Sequence, residues 1–279
     1  MYRDEWMSIN GVRLHWQDWG AREAPAILML HGLTQQSHTF DHVAERLSDR
    51  YRCIAFDLRG RGESEWAAPG TYAIPHYVQD AVKLLDELAL PAVHILGTSL
   101  GGLCGLSLGA FHPQRVLSLA LNDIGPEIDP AGANRIAMYT ATVPGSFPSF
   151  EAAVDWARER YLWLRRLPRS EVEAGLRWAV REGEGGWSFK FDPAIGKTPP
   201  PTAEVMKSAA EIWWHTLASL RCPILLVRGA DSDVLSRATA DEMERRQPAL
   251  VRVEVPDMGH APMLSELAAL AALDRFYKG

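Results

Sequence analysis

Short apolar runs alternate with helix-length segments in the first half of the chain, and this pattern restricts the fold more than any other feature. The runs are "AILML" (26–30), "RCIAF" (52–56), "AVHIL" (92–96) and "VLSLALN" (116–122). An intervening segment, "VQDAVKLLDELAL", has apolar residues at helical spacing. Strands that alternate with helices form a mainly parallel sheet with both faces covered. The sequence therefore predicts an α/β fold.

Two further stretches modify this pattern. The chain opens with "SINGVRLHWQDWG", in which Asn10-Gly11 predicts a two-residue hairpin and an antiparallel start. From about residue 130 to 215 the alternation stops, and six of the ten tryptophans lie there, followed later by the strand patterns "CPILLVRG" and "LVRVEVPD". We predict an insertion at 129–215 in a core domain of 1–128 and 216–279. Its helices either pack on the main domain, with tryptophans as core residues, or cap a substrate pocket.

Composition narrows the classes of partner. A net charge of −6 gives no support for nucleic-acid binding, so a neutral or apolar small molecule is the expected partner. Cys53, Cys104 and Cys222 sit in apolar runs and are interpreted as small core residues, not as disulfides or metal ligands. The N-terminus has acids and polar residues where a signal peptide needs a continuous apolar region, and no run approaches the length of a membrane span, so the expected location is the cytoplasm. A homo-oligomer is compatible with the sequence.

The pentapeptide Gly97 to Gly101, "GTSLG", places Ser99 between a strand-like and a helix-like run. A sharp strand-to-helix turn needs glycines for close approach and lifts the serine above the sheet, which is the arrangement of a nucleophile elbow. A serine hydroxyl becomes a good nucleophile only when a base takes its proton. His260 is the candidate base, because "PDMGHAP" places it on a loop between the last strand and the terminal helix.

The third member of such a triad is open among three aspartates. Asp231 and Asp233 follow the strand in "LLVRGADSDVLS", and Asp123 follows the strand in "LALNDIGP". All three lie at the carboxyl ends of predicted parallel strands, where α/β sheets build their sites. The chain order serine, acid, histidine favours Asp231 or Asp233 and also permits Asp123.

Acyl transfer also needs hydrogen-bond donors for the oxyanion. "AILMLHGLTQQ" puts a tight His31-Gly32 turn directly after a strand. The backbone amides of Leu33 and of Leu100, which follows the serine, are the predicted oxyanion hole. Gly32 as an ordinary turn residue is the alternative interpretation.

Five motifs in this order, "LHG", "DLRGRGES", "GTSLGG", "RGADSDVLS" and "GHAP", resemble the α/β-hydrolase family of serine hydrolases. The resemblance implies a mostly parallel eight-stranded sheet flanked by helices, with a helical cap (lid) at 129–215. It implies that Ser99 and His260 are catalytic and that 57–62 is a structural loop. The usual position of the acid is Ser232 here, and relatives with "SD" before an aliphatic residue suggest Asp233, which we predict as the acid.

A serine at the elbow argues against the branches that carry aspartate there, the haloalkane dehalogenases and epoxide hydrolases. The predicted activity is hydrolysis of a carboxylic ester or lactone of a small, largely apolar substrate through an acyl-enzyme, without metal or cofactor. Hydrolysis of a carbon-carbon bond in a diketone-like substrate is the alternative with the same triad. A catalytically silent binding protein is a third hypothesis.

Overall fold

The computed structural model describes residues 1–197 and 202–278. Its strands are β1 (Tyr2–Ile9), β2 (Val12–Trp19), β3 (Ala26–Leu30), β4 (Arg52–Asp57), β5 (Val93–Thr98), β6 (Val116–Asn122), β7 (Val180–Gly183), β8 (Gly186–Phe189), β9 (Ile224–Gly229) and β10 (Leu250–Val255). Its helices are α1 (Asp41–Leu47), α2 (Ile74–Glu87), α3 (Leu100–Phe111), α4 (Pro130–Ala141), α5 (Phe150–Arg160), α6 (Arg169–Ala179), α7 (Ala203–Ser219), α8 (Arg237–Arg246) and α9 (Leu267–Phe276). Four apolar runs of the sequence thus form β3, β4, β5 and β6.

Eight strands form one sheet in the order β1-β2-β4-β3-β5-β6-β9-β10. The pairs β1/β2 and β2/β4 are antiparallel, and all other neighbours in this sheet are parallel. The predicted hairpin is present, with Ile9 paired to Val12 and with Asn10 and Gly11 at φ of 49° and 78°. This architecture confirms the predicted α/β fold with a mostly parallel eight-stranded sheet.

The sheet is covered on both faces, as its uninterrupted apolar strands require. Along β3, Leu28 and Leu30 belong to one buried cluster, and Ile27 and Met29 belong to the cluster on the opposite face. This alternation follows from the two-residue period of a strand. Because parallel strands are covered on both faces by helices, their carboxyl ends form the edge at which a site can open.

The described residues between β6 and β9 add no strand to the large sheet. They contain α4 to α7 and, in addition to these helices, a small antiparallel hairpin of β7 and β8. Part of this segment has its own apolar cluster around Phe147, Val154 and Phe189. The predicted boundary at 215 falls inside α7, whose Trp214 and Leu217 are buried in the main core. The division at 129–215 stays a prediction.

Candidate active site

Ser99 stands on a sharp turn between β5 and α3. Its backbone has φ 50° and ψ −113°, a left-handed conformation that favours glycine. A Cβ on Gly97 would meet the backbone of Gly101 and Gly102, at 2.5 Å from the Gly102 nitrogen, and a Cβ on Gly101 would meet the backbone of Leu30. Only glycine fits at both places, so the two glycines permit the turn that presents the serine.

His260 lies on the loop between β10 and α9 and reaches the serine. Its Nε2 is 2.9 Å from Ser99 Oγ, and its Nδ1 is 2.9 Å from Asp123 Oδ2. A carboxylate only accepts hydrogen bonds, so Nδ1 carries the proton and Nε2 is left as the acceptor for the serine hydroxyl. Asn122 ties this loop down by donating from Nδ2 to the Pro262 carbonyl at 2.9 Å. The structure therefore brings together the predicted serine and histidine in the geometry of a nucleophile and its base.

Asp123 follows β6, the parallel neighbour of β5, and its side chain is fully buried. Three groups donate to its carboxylate. The Gly229 amide donates to Oδ1 at 2.9 Å, and the Ser232 hydroxyl donates to Oδ2 at 2.6 Å beside the His260 ring. These bonds replace the water that a buried carboxylate loses.

The prediction that Asp233 holds His260 is wrong. The Asp233 carboxylate turns toward α4 and accepts from Arg135 Nε at 2.5 Å and from Arg135 Nη2 at 2.7 Å. Burial alone would raise the pKa of Asp233, but the hydrogen bonds and charge of Arg135 outweigh it and lower that pKa. The other candidate, Asp231, pairs with Arg166 at 3.2 Å. An arginine from the insertion thus engages each of these two carboxylates.

The turn after β3 lies against the serine, since a Cβ on Gly32 would be 3.7 Å from Ser99 Cβ. Buried His31 orders this turn: its Nε2 accepts from the Leu58 amide at 3.0 Å and its Nδ1 donates to the Gly32 carbonyl at 2.7 Å. Burial lowers the pKa of His31 to about 4, so the ring is neutral and can do both.

The predicted oxyanion donors sit beside this turn. Arg61 Nε donates to the Leu33 carbonyl at 3.0 Å, and the Gly32 amide donates to Gln35 Oε1 at 2.9 Å. Within the described part of the chain, the Leu33 and Leu100 amides have no hydrogen-bond acceptor. Leu100 begins α3, where the first amides of a helix are left without intrahelical partners. Both amides are therefore available to a substrate oxygen.

Several residues of the site were missed by sequence reasoning, namely Ser232, Gly229, Gln35, Arg61 and Asn122. Gln35 acts through its side chain within its own turn, and the others act through backbone atoms or through contacts with residues distant in the chain, which leave no local pattern. For Ser232 the sequence carries a signal, because the residue occupies the usual position of the acid. Sequence reasoning assigned it no role of its own.

The tryptophans of 129–215 have mixed surroundings. Trp156 and Trp187 pack in the apolar cluster of the insertion, Trp214 donates to Glu127 at 2.7 Å, and Trp178 stacks on His38 with ring centroids 3.7 Å apart. The side chain of Trp163 lies outside the described residues, as do residues 198–201 of "TPPPT". Insertion side chains that contact the loops of the site include Arg135, Arg166 and Tyr161, whose hydroxyl is 3.5 Å from Thr34 Oγ1.

The sequence profile described as the alpha/beta hydrolase fold matches residues 25–267. The chain belongs to this family. This α/β hydrolase is 35% identical to the 3-hydroxybutyrate-oligomer hydrolase of Cupriavidus necator over 96% of its own length and 93% of the relative's. It is 30% identical to an esterase of Mycobacterium tuberculosis over 92% of its length and 83% of the esterase's.

A crystal structure of an α/β hydrolase from Novosphingobium aromaticivorans is 31% identical and superposes with a TM-score of 0.85, covering 99% of this chain and 98% of that one. The two relatives named above are an oligomer hydrolase and an esterase, and together with the family match they support a hydrolase. Among residues 1–197 and 202–278, no group of three His, Cys, Asp or Glu side chains could hold a metal ion. In the same residues, no helix combines the length and the apolarity of a membrane span.

Proposed function

We propose that this chain hydrolyses carboxylic esters through an acyl-enzyme formed on Ser99. The observation that carries the proposal is the hydrogen-bonded series from Ser99 Oγ through the His260 ring to the Asp123 carboxylate, with 2.9 Å at both links. A buried carboxylate, an imidazole and a serine at these distances are the parts that acyl transfer requires.

The steps follow from the polarity of these groups. His260 Nε2 takes the serine proton as Oγ attacks the ester carbonyl, and Asp123 stabilises the imidazolium that results. The Leu33 and Leu100 amides donate to the oxyanion, and each such donor is worth on the order of 3 kcal/mol of transition-state stabilisation. His260 then protonates the leaving alcohol. Water, activated by the same ring, releases the acid and restores the serine.

We propose short oligoesters of hydroxy acids as the substrate class. The support is the relative from Cupriavidus necator, whose name specifies a 3-hydroxybutyrate oligomer and whose alignment with this chain is nearly complete on both sides. We further propose that the insertion covers the site, because Arg135, Arg166 and Tyr161 contact the loops that surround Ser99 and His260.

Labelling with a serine-reactive phosphonate tests the chemistry. We expect one adduct, mapped to Ser99, and no adduct in Ser99→Ala; Ser107→Ala, which changes a serine further along α3, is the matched control and should be labelled like the parent. An adduct on another serine would refute the assignment.

A substrate panel then separates the reaction classes. Hydroxybutyrate dimers and trimers, p-nitrophenyl esters, lactones and vinylogous diketones are compared under the same conditions. Turnover of the diketones with no turnover of the esters would indicate carbon-carbon hydrolysis. Inertness on the whole panel together with absent labelling would favour a binding protein that keeps the fold.

A further inference from the structure

Ser232 donates a hydrogen bond to the carboxylate oxygen that holds His260. Its Oγ is 2.6 Å from Asp123 Oδ2, and the same oxygen is 2.9 Å from His260 Nδ1. The other oxygen, Oδ1, accepts from the Gly229 amide. Two donors therefore share Oδ2, one of which is the imidazole itself.

The direction of the Ser232 hydroxyl is fixed by its own surroundings. Oγ accepts from the Leu235 amide at 3.0 Å and from the Val234 amide at 3.3 Å. A hydroxyl has one hydrogen and two lone pairs. Because the two amides occupy the lone pairs, the single hydrogen is directed to Asp123. The local turn thus orients the donor.

We propose that Ser232 is a positioning residue of this site. Its hydroxyl holds Asp123 Oδ2 toward His260 and reduces the negative charge that this oxygen presents to the imidazole. The proposal rests on the proposed function. Asp233 interacts with the charge of the His260 ring and is itself paired with Arg135, and Arg166 pairs with Asp231 on the same loop as Ser232.

Removal of the hydroxyl has a predictable sign. Without this donor, Oδ2 carries more negative charge and stabilises the imidazolium more strongly. In Ser232→Ala the acidic limb of the pH profile should move to higher pH by about half to one unit. Its plateau should fall by about tenfold, because the carboxylate is held less firmly. Ser232→Thr keeps a hydroxyl and should restore most of the position of the acidic limb and most of the plateau rate.

Two readouts test the proposal. One is the pH dependence of the second-order rate constant for phosphonate labelling of Ser99, measured for the parent, Ser232→Ala and Ser232→Thr. The other is an NMR titration of ¹⁵N-labelled His260 in the unreacted protein, which needs no catalysis. Ser236→Ala is the matched control, because the Ser236 hydroxyl accepts from the Thr239 amide at the start of α8 and does not touch Asp123.

An upward shift of the His260 titration in Ser232→Ala, absent in Ser236→Ala and reversed in Ser232→Thr, supports the positioning role. An unchanged or lower midpoint overturns it, even if the variant is less stable or slower. Failure of the parent to react with the phosphonate at Ser99 would instead refute the proposed function, and the NMR titration would still decide the role of Ser232.

Discussion

Ser99 and Asp123 occupy equivalent positions at the ends of adjacent parallel strands. Thr98 of β5 pairs with Asn122 of β6, so the next residue on each strand leaves the sheet at the same edge. Both of these residues have left-handed backbones, with φ of 50° and 57°. The two turns carry their side chains to opposite sides of the His260 ring, so the carboxylate that contacts His260 follows β6 and not β9.

This relationship predicts which aspartate matters for turnover. Asp123→Asn should lower kcat by roughly 10³- to 10⁴-fold, because an amide no longer stabilises the imidazolium or fixes its tautomer. Asp233→Asn removes the charge that pairs with Arg135 and should change kcat by less than about tenfold. Initial rates on a p-nitrophenyl ester measure both. A larger loss of kcat in Asp233→Asn than in Asp123→Asn would show that Asp233, in the loop after β9, is the catalytic acid.

The error over the acid shows where sequence reasoning stops. The alternation of strands and helices, the turn at Ser99 and the loop position of His260 follow from local patterns, and the predicted mostly parallel eight-stranded sheet is confirmed. The choice among three aspartates depends on side-chain direction, which is set by tertiary contacts. Arg135, far away in the chain, draws Asp233 toward α4. The sequence of residues 229–236 does not indicate that Arg135 is the partner of Asp233.

The turn after β3 predicts a second effect. A Cβ at Gly32 would lie 2.8 Å from Gln35 Oε1, the acceptor of the Gly32 amide. Gly32→Ala should displace Gln35 and shift the Leu33 amide, so kcat should fall by about 10- to 100-fold with little change in KM.

Steady-state kinetics of this variant are compared with those of Gly145→Ala. Gly145 has open space around its Cβ position and lies away from the turn, so its substitution should leave the rates unchanged. A normal kcat in Gly32→Ala would show that the turn does not contribute to the oxyanion hole.

The backbone at Ser99 is strained, so we expect that its replacement by glycine makes the protein more stable than replacement by alanine does. Ser99→Ala and Ser99→Gly both lack the hydroxyl, but only glycine relaxes at φ 50° and ψ −113°. Ser99→Gly should therefore exceed Ser99→Ala in free energy of unfolding by about 1 kcal/mol in urea denaturation. At Ser107, inside α3, the order should reverse, because glycine destabilises a helix interior. Equal stability of the two Ser99 variants would mean that the turn stores no strain.

His31 predicts an acid sensitivity of the fold. Burial lowers the pKa of His31 to about 4. Between this pH and the ordinary histidine pKa of about 6.5, the unfolded chain binds a proton at His31 and the folded chain does not. The stability it contributes is fully present above about pH 6.5 and is lost as pH falls toward 4, for a total of roughly 3 kcal/mol. Because the pKa of His31 is lower in the folded protein than in the unfolded chain, the free energy of unfolding decreases on acidification.

His31→Gln removes this titration. Urea denaturation at about pH 7 and about pH 4.5 should show a smaller loss of unfolding free energy for the variant than for the parent, although the variant starts from a lower value because glutamine reproduces only part of the His31 contacts to Leu58 and Gly32. His42→Gln changes an exposed histidine and should follow the parent. An acid loss in His31→Gln equal to the parent's would show that His31 titrates in the folded protein as it does in the unfolded chain. The Gly32 turn would then be held by a ring that is charged at mildly acidic pH, and the hydrogen bond from the Leu58 amide would break before the protein unfolds.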